Sequence, residues 1–461
     1  MASDSSGQRL AALLRTTVAA GRTGDRLPSS RELVAEYRVS PVTVRSAIAQ
    51  LEREGLVVVK SGAGTFVAPP PRPRHPVDTD WQLVAMGDEP SHLTGFDQVV
   101  AGPPPGTIPL ASGFLAEDLQ ATAEIGAALR RAMARPEAWS WVPEGLAPLR
   151  DWFAAEIDPR LTAGDVLISS GTQTALSTVF RSICPDGAPV LIESPAYIGA
   201  TAAARAARLP VIAIPTDRHG IRTDLLAAPL ASTGARVIYV QPAHANPHGA
   251  TLSDERRAEL LALARRHGAF VIEDDWARYL SFAATPSPPL ITDDEDGHVL
   301  HLSSLSKPAA PGLRVGAIVA RGPVARRLRR ARVVDDFFVT PLLQETALQL
   351  VTSPSWPRHL RRLHAELHRR RDHLVALVRD LLGPDVLPYE PTGGMHLWLR
   401  LPDGADATEV AEAAARQGVM VNPGRPWFPS EPTGEHLRIS FGGAPVEAMT
   451  AGVRVLAAAL R

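Results

Sequence analysis

Ser304-Leu305-Ser306-Lys307-Pro308-Ala309-Ala310-Pro311-Gly312-Leu313-Arg314-Val315-Gly316 holds one of only two lysines in a chain of 461 residues. The chain has 48 basic residues, and all but Lys60 and Lys307 are arginine. Where positive charge alone would serve, this sequence supplies arginine, so a retained lysine calls for a separate reason. A guanidinium stays protonated, whereas a lysine can lose its proton and form a Schiff base with a carbonyl. Ser304, Ser306 and Arg314 flank Lys307 with two hydroxyls and a fixed cation, a set suited to phosphate. A residue before proline is biased toward extended geometry, so Lys307 is expected to project from a strand end rather than join a helix. Chance survival on the surface is the ordinary alternative, and these neighbours argue against it.

Around this stretch, from about residue 107 to 461, short apolar strands alternate with helices, the pattern of an α/β fold with a mainly parallel sheet. The expected strands are 166–169, 189–193, 236–241, 270–273, 298–302 and 314–320. Ligands of such sheets bind beyond the carboxyl ends of the strands, where most of the chemically capable residues fall. Ser170-Gly171-Thr172-Gln173 opens a helix whose free N–H groups suit a phosphate, although a plain cap has the same look. Tyr197 follows the second strand and either lays its ring over a flat ligand or fills the core. His244 and His248 have a metal-like spacing, but Asn246-Pro247 breaks the helix that would align them, so no metal is expected. Asn246 reads better as a hydrogen-bond donor. Asp274 and Asp275 end the fourth strand. One of them could keep a pyridine nitrogen protonated, or the pair could take magnesium, though no further acidic cluster accompanies them. An amine, a phosphate cradle and a carboxylate for a ring nitrogen together point to pyridoxal 5′-phosphate (PLP).

The first 68 residues read differently. Leu10, Leu13, Leu14 and Val18 recur at helical spacing. Pro28-Ser29-Ser30-Arg31-Glu32-Leu33 is a capped helix start with Ser29 or Ser30 at the N-cap, and Ser40-Pro41 is another, with proline where its missing N–H costs nothing. The helix from Val42 to about Glu54 buries Val44, Ile48 and Leu51 and turns Thr43, Arg45 and Ser46 outward. Leu56–Val59, a glycine turn and Thr65–Val67 then form a hairpin with Lys60 at its tip. Two helices joined by a tight turn, followed by such a wing, match a winged helix-turn-helix. A helical protein-interaction module is the alternative. Residues 1–76 carry eleven Lys+Arg against six Asp+Glu, while the whole chain has a net charge of −1. A basic head on an acidic body fits nucleic-acid contact confined to the head.

Ala68-Pro69-Pro70-Pro71-Arg72-Pro73-Arg74-His75-Pro76 reads as a semi-rigid spacer, and a linker over 69–106 is expected between the head (1–68) and the body (107–461), whose smaller C-terminal part spans about 355–461. A hydrophobic content of 45% with 21% charged residues is that of a soluble globular protein. One cysteine, Cys184, excludes a disulfide framework within the chain. No apolar run is long enough for a membrane span and no signal pattern opens the sequence, so a cytoplasmic protein without membrane contact is expected.

PSSREL (28–33), VSPVTVRSAIAQLEREGL (39–56) and SGAGTFV (61–67) resemble the winged-helix domain of the GntR regulator family. That resemblance implies DNA contacts by Arg31, Thr43, Arg45, Lys60 and Gly62. Pro41 stands where the family often has an arginine, so one contact is absent. SGTQ (170–173), ESPAY (193–197), HANPHG (244–249), EDDW (273–276), the Lys307 stretch, GGMHLWL (393–399) and LRISF (437–441) together resemble the fold-type-I aminotransferases. This implies that Lys307 forms the aldimine with PLP, Asp274 meets the pyridine nitrogen and Asn246 the phenolate oxygen. Tyr197 would stack on the ring, while Gly171, Thr172, Gln173, Ser304, Ser306 and Arg314 hold the phosphate. Arg438 would clamp an α-carboxylate, against the alternative of a surface strand arginine. The two parts joined are similar to the MocR subgroup of bacterial regulators. The function this implies is a PLP-dependent, homodimeric transcription regulator whose amino acid or amine effector reacts at Lys307 and alters binding to an operator. Trp276 and Trp141 stand where the subgroup commonly has tyrosines, so little or no turnover is expected. A working aminotransferase with a secondary head, or a sensor of PLP itself, are the competing readings.

Overall fold

The computed structural model describes residues 6–69, 79–88, 90, 96, 102–283 and 286–461. Most of the proline-rich spacer, from Pro70 to Pro76, lies outside the described residues. The chain divides into two compact units, Met1–Asp88 and Glu89–Arg461.

In the first unit, helices α1 (Ser6–Ala20), α2 (Ser30–Tyr37) and α3 (Pro41–Arg53) precede a hairpin of β1 (Val57–Lys60) and β2 (Gly64–Val67). Each start is set by local chemistry. The Ser29 hydroxyl accepts from the Glu32 backbone N–H at 3.3 Å, and the Glu32 carboxylate accepts from the Ser29 N–H at 2.7 Å, a reciprocal capping box. Ser40 caps α3 by accepting from the Thr43 N–H at 3.1 Å, with Pro41 at the first helical position. Leu10, Leu14, Leu33, Val44, Ala47 and Leu51 close one small core, and Ile48 packs against it while partly buried. Within the stretch read as linker, Asp80–Met86 forms a short helix that buries none of its residues.

The second unit contains an eight-stranded sheet in the order β3-β10-β9-β8-β7-β4-β5-β6. Its strands are β3 (Val166–Ser169), β4 (Val190–Ser194), β5 (Val211–Asp217), β6 (Gly220–Ile221), β7 (Val237–Val240), β8 (Phe270–Asp274), β9 (Val299–Ser304) and β10 (Gly316–Val319). From β9 to β5 the pairing is parallel. β10 runs antiparallel to both of its neighbours. The central strands are nearly continuous apolar runs, as expected where helices cover both faces. Strand β10 begins at Gly316 rather than at Arg314, because Arg314 adopts φ 51° and ends a preceding 3-10 turn. A Cβ on Gly316 would lie 2.5 Å from the Ser303 carbonyl oxygen and 3.1 Å from the Gly171 Cα, so glycine lets three segments meet there.

A smaller sheet, β11 (His396–Arg400), β13 (His436–Ser440) and β12 (Asn422–Pro423), is antiparallel and lies beside the long helix Ser355–Leu381 in sequence and core. Its core also takes Leu110, Leu115 and Leu119 from the N-terminal side of the unit. The segment around these leucines is stitched to the small sheet by bonds from the Ile108 N–H to the Gly418 carbonyl and from the Ser440 N–H to the Leu110 carbonyl, both 2.8 Å.

Candidate functional site

Because β10 runs against its neighbours, its first residues share a rim with the carboxyl ends of β3, β9, β8 and β7. Arg314, the ends of those strands and the loops after them therefore converge. Lys307 sits three residues beyond β9, in a turn closed by the Ala309 N–H on the Leu305 carbonyl at 3.0 Å. Its backbone is thus turned rather than extended, and the bias exerted by Pro308 is overridden by that bond. The Lys307 amine donates to the Gly113 carbonyl at 2.6 Å and lies 4.1 Å from the centre of the Phe114 ring. Burial, reinforced by the nearby Arg438 charge, pushes this amine down to about 7, against the pull of Asp274.

Asp274 is buried at the end of β8. Its Oδ2 accepts from the Tyr239 hydroxyl at 2.8 Å and from Gln241 Nε2 at 2.9 Å, both on or just after β7. Its Oδ1 is buried and has no partner. Burial raises this carboxyl to about 6, while the two donors hold it lower than burial alone would. Asp275, its neighbour, turns instead toward Arg278 at 3.6 Å and His301 at 3.9 Å. Of the adjacent acids, Asp274 is the one with an open oxygen in the surroundings of Lys307.

Gln241 also fixes Asn246, accepting from its backbone N–H at 2.8 Å. The Asn246 Oδ1 accepts from Arg438 Nη1 at 3.1 Å, which leaves the amide NH2 as the donor face. Arg438, on β13, also donates to the Ala111 carbonyl at 2.8 Å and stacks over Trp427 at 4.8 Å. It is buried, which lowers its guanidinium to about 9, so it is not a surface strand residue. Tyr197 precedes the helix Ile198–Ala206, and burial lifts its phenol to about 12. The charges of Asp274, Arg438 and Arg314 all act on it, and the residue also packs, partly buried, against one of the apolar cores.

Gly171 caps the helix Thr172–Ile183 at φ 99°, and a Cβ there would come within 3.1 Å of the Arg314 guanidinium. Arg314 donates to the Ser170 carbonyl. The Ser304 hydroxyl accepts from the Ser306 N–H at 3.0 Å, while the Ser306 hydroxyl is buried without a partner. Gln173 donates to the Gly199 carbonyl at 3.0 Å. An orphaned hydroxyl, a helix N-terminus and an arginine fit a phosphate, and the orphaned Asp274 oxygen fits a protonated ring nitrogen. The residues present therefore suit PLP.

Five participants escape the sequence reading. Tyr239 on β7 and Gln241 just after it are polar residues two apart in an otherwise apolar run, and that alternation is a usable signal for a shared face. His396 shows in the sequence only as one letter of a motif. Its ring stacks on buried Trp276 at 5.7 Å, and burial keeps it neutral. Gly113 and Phe114 carry no signal at all, since a backbone carbonyl and a lone ring reach Lys307 across 194 residues of sequence. Among the described residues no group of three or more histidine, cysteine or acidic side chains could hold a metal.

In the head, Arg31 and Arg45 are exposed and have no partner among the described residues. Lys60 ends β1 and lies 5.1 Å from the centre of the Phe66 ring, and Gly62 makes the exposed wing turn at φ 73°. The Thr43 hydroxyl is bonded to the Ser40 hydroxyl at 2.9 Å. No helix among the described residues is long and apolar enough to cross a membrane.

Comparison with known proteins agrees with both halves. Residues 120–456 match aminotransferase class I and II, and residues 7–67 match the bacterial regulatory proteins of the gntR family. A protein of Escherichia coli K12 named uncharacterized HTH-type transcriptional regulator YdcR is 30% identical, covering 91% of each chain. The 2-aminoadipate transaminase of Thermus thermophilus is 31% identical over 77% of this chain and 91% of its own. Among solved structures, the α-aminoadipate aminotransferase LysN of Thermus thermophilus, bound to N-(5′-phosphopyridoxyl)-L-leucine, superposes with a TM-score of 0.73 at 29% identity. The match covers 77% of this chain and 92% of that one. With the class I and II aminotransferase match spanning most of the chain and the gntR match covering the winged helix before it, this chain is a member of the class I and II aminotransferase family that carries a GntR-family DNA-binding domain.

Proposed function

We propose that the protein is a PLP-dependent transcription regulator of the MocR kind, in which an amino acid or related amine reacts at Lys307 and alters operator binding by the head. One observation carries the reading: a buried lysine whose amine is pushed down to about 7 and a buried carboxylate with one open oxygen lie in the same chain as a GntR winged helix. When bound, PLP supplies an aldehyde carbon that a lysine or an effector amine holds by imine exchange. Lys307 provides the amine. Asp274 offers Oδ1 to the pyridine nitrogen, Asn246 its NH2 to the phenolate oxygen, and Tyr197 its ring. Gly171, Thr172, Gln173, Ser304, Ser306 and Arg314 hold the phosphate. Arg438 has its Nε without a partner and takes the effector's carboxylate. Two copies form the working molecule and present two heads to double-stranded DNA.

Trp276 favours a regulator over an efficient transaminase. Its indole N–H is buried and unpartnered, and it donates only, so it cannot accept or pass a proton as a phenol does. The test uses full-length, PLP-loaded protein titrated with a panel of amino acids while absorption and DNA affinity are followed together. An amino acid that shifts both with one midpoint is the expected result. Sustained transamination at roughly 1 per second or faster, with unchanged DNA affinity, would replace this reading by the aminotransferase one.

A further inference from the structure

The outward stripe of α3 consists of Val42, Arg45, Ser46 and Ala49, at spacings of three, four and seven residues. Val42 is 64% exposed although it is β-branched and aliphatic, and it stands at the second position of the helix. The opposite face, Val44, Ala47 and Leu51, is fully buried, so Val42 cannot rotate into the core. The polar group closest to it in sequence, the Thr43 hydroxyl, is turned back onto Ser40 at 2.9 Å. Pro41, also exposed, offers neither a side-chain donor nor a backbone N–H. What the first turn of this helix presents is therefore an isopropyl group and, one turn on, a free guanidinium.

In the major groove a guanidinium pairs with the O6 and N7 acceptors of guanine, and the C5 methyl of thymine is the apolar group on offer. A valine pressed against any other base edge would bury a donor or acceptor without a partner. We infer that Val42 is a specificity-determining residue that packs on a thymine methyl next to the guanine read by Arg45, with Ala49 available for a second methyl on the far side. The three residues from Val42 to Arg45 rise by about 4.5 Å along the helix, against about 3.4 Å per base pair, so the thymine lies roughly one step from the guanine. This inference rests on DNA binding by the head and deepens it by naming what is read.

The test uses the full-length protein and an operator selected from random duplexes. Each thymine of a half-site is replaced in turn by deoxyuridine, which removes only the methyl, and affinity is measured for wild type, Val42→Ala and Arg45→Ala. Wild type should lose about three- to five-fold at one thymine per half-site, the worth of one buried methyl group. Val42→Ala should be indifferent at that position, while Arg45→Ala should keep the thymine response and lose the neighbouring guanine preference. Unchanged thermal unfolding of Val42→Ala, whose side chain is exposed, shows that the helix is intact. Selective binding by wild type with no response to any deoxyuridine overturns the inference, as does an equal response in Val42→Ala. Failure of the wild type to bind any duplex selectively would instead overturn the DNA-binding reading, and this inference with it.

Discussion

An amine pushed down to about 7 is a nucleophile at neutral pH and an inert ammonium at acid pH. The sign follows from the depressed value: the neutral form grows as pH rises and is essentially complete one unit above 7. Capture of PLP by protein stripped of it should therefore accelerate roughly tenfold per pH unit below 7 and level off above. A rate that is flat from pH 5.5 to 8.5 would mean that Lys307 is not the reacting amine. The role proposed for Arg438 is tested separately. Arg438→Ala should keep the resting absorption band yet lose the spectral response to α-amino acids, while amines lacking a carboxylate act equally on both proteins. Lys307 was legible as a candidate because a chain this rich in arginine makes any lysine conspicuous. The choice between Asp274 and Asp275 needed the structure, which shows Asp275 drawn to Arg278 and His301 and Asp274 left with an open oxygen. Gly113 was illegible for a plain reason: a carbonyl acceptor is common to every residue, and only the fold brings this one to the amine.

Secondary elements were legible where side chains cap or punctuate them. Ser29 with Glu32, and Ser40 with Pro41, announce the starts of α2 and α3 before any packing is considered, and Gly55 follows the last turn of α3 at φ 70°. Since the Ser40 hydroxyl satisfies the Thr43 N–H and also holds the Thr43 side chain, Ser40→Ala should destabilise the head by about 1 kcal/mol. Calorimetry of the full chain would show this as a lower head transition with the body transition unmoved. An unchanged head transition would remove the cap from the stability of α3. Elements were less legible where tertiary bonds decide. Lys307 lies before a proline and still turns, because the Ala309 N–H finds the Leu305 carbonyl. β10 begins two residues after Arg314, which ends the preceding 3-10 turn at φ 51°. The helix Asp80–Met86 arises in a stretch rich in proline and polar residues, and its burial pattern gave nothing to read.

At the scale of the whole molecule, the body exposes a group of side chains that a lone globular unit has little reason to show. Trp141 is 63% exposed, Phe337 59% and Val334 86%. Trp141 packs its edge on Phe338 at 5.0 Å and lies 6.3 Å from Phe337. Phe337 also ends the helix Pro323–Asp336 at φ 61°, a strained conformation for an aromatic residue that surrounding contacts must sustain. Burying a single such side chain is worth about 1.5–3 kcal/mol, so covering these three on each of two copies about a two-fold axis would favour pairing of the bodies. Sedimentation at micromolar concentration should accordingly give a dimer. Val334→Asp would then place an unpaired carboxylate in the contact and raise the dissociation constant by about a hundredfold or more. The operator should carry two half-sites, since a two-fold dimer brings two copies of α3, and their direct or inverted order follows from how the linkers run. A wild-type protein that sediments only as a monomer would defeat both statements, and a Val334→Asp dimer as tight as wild type would move the interface to another face of the body.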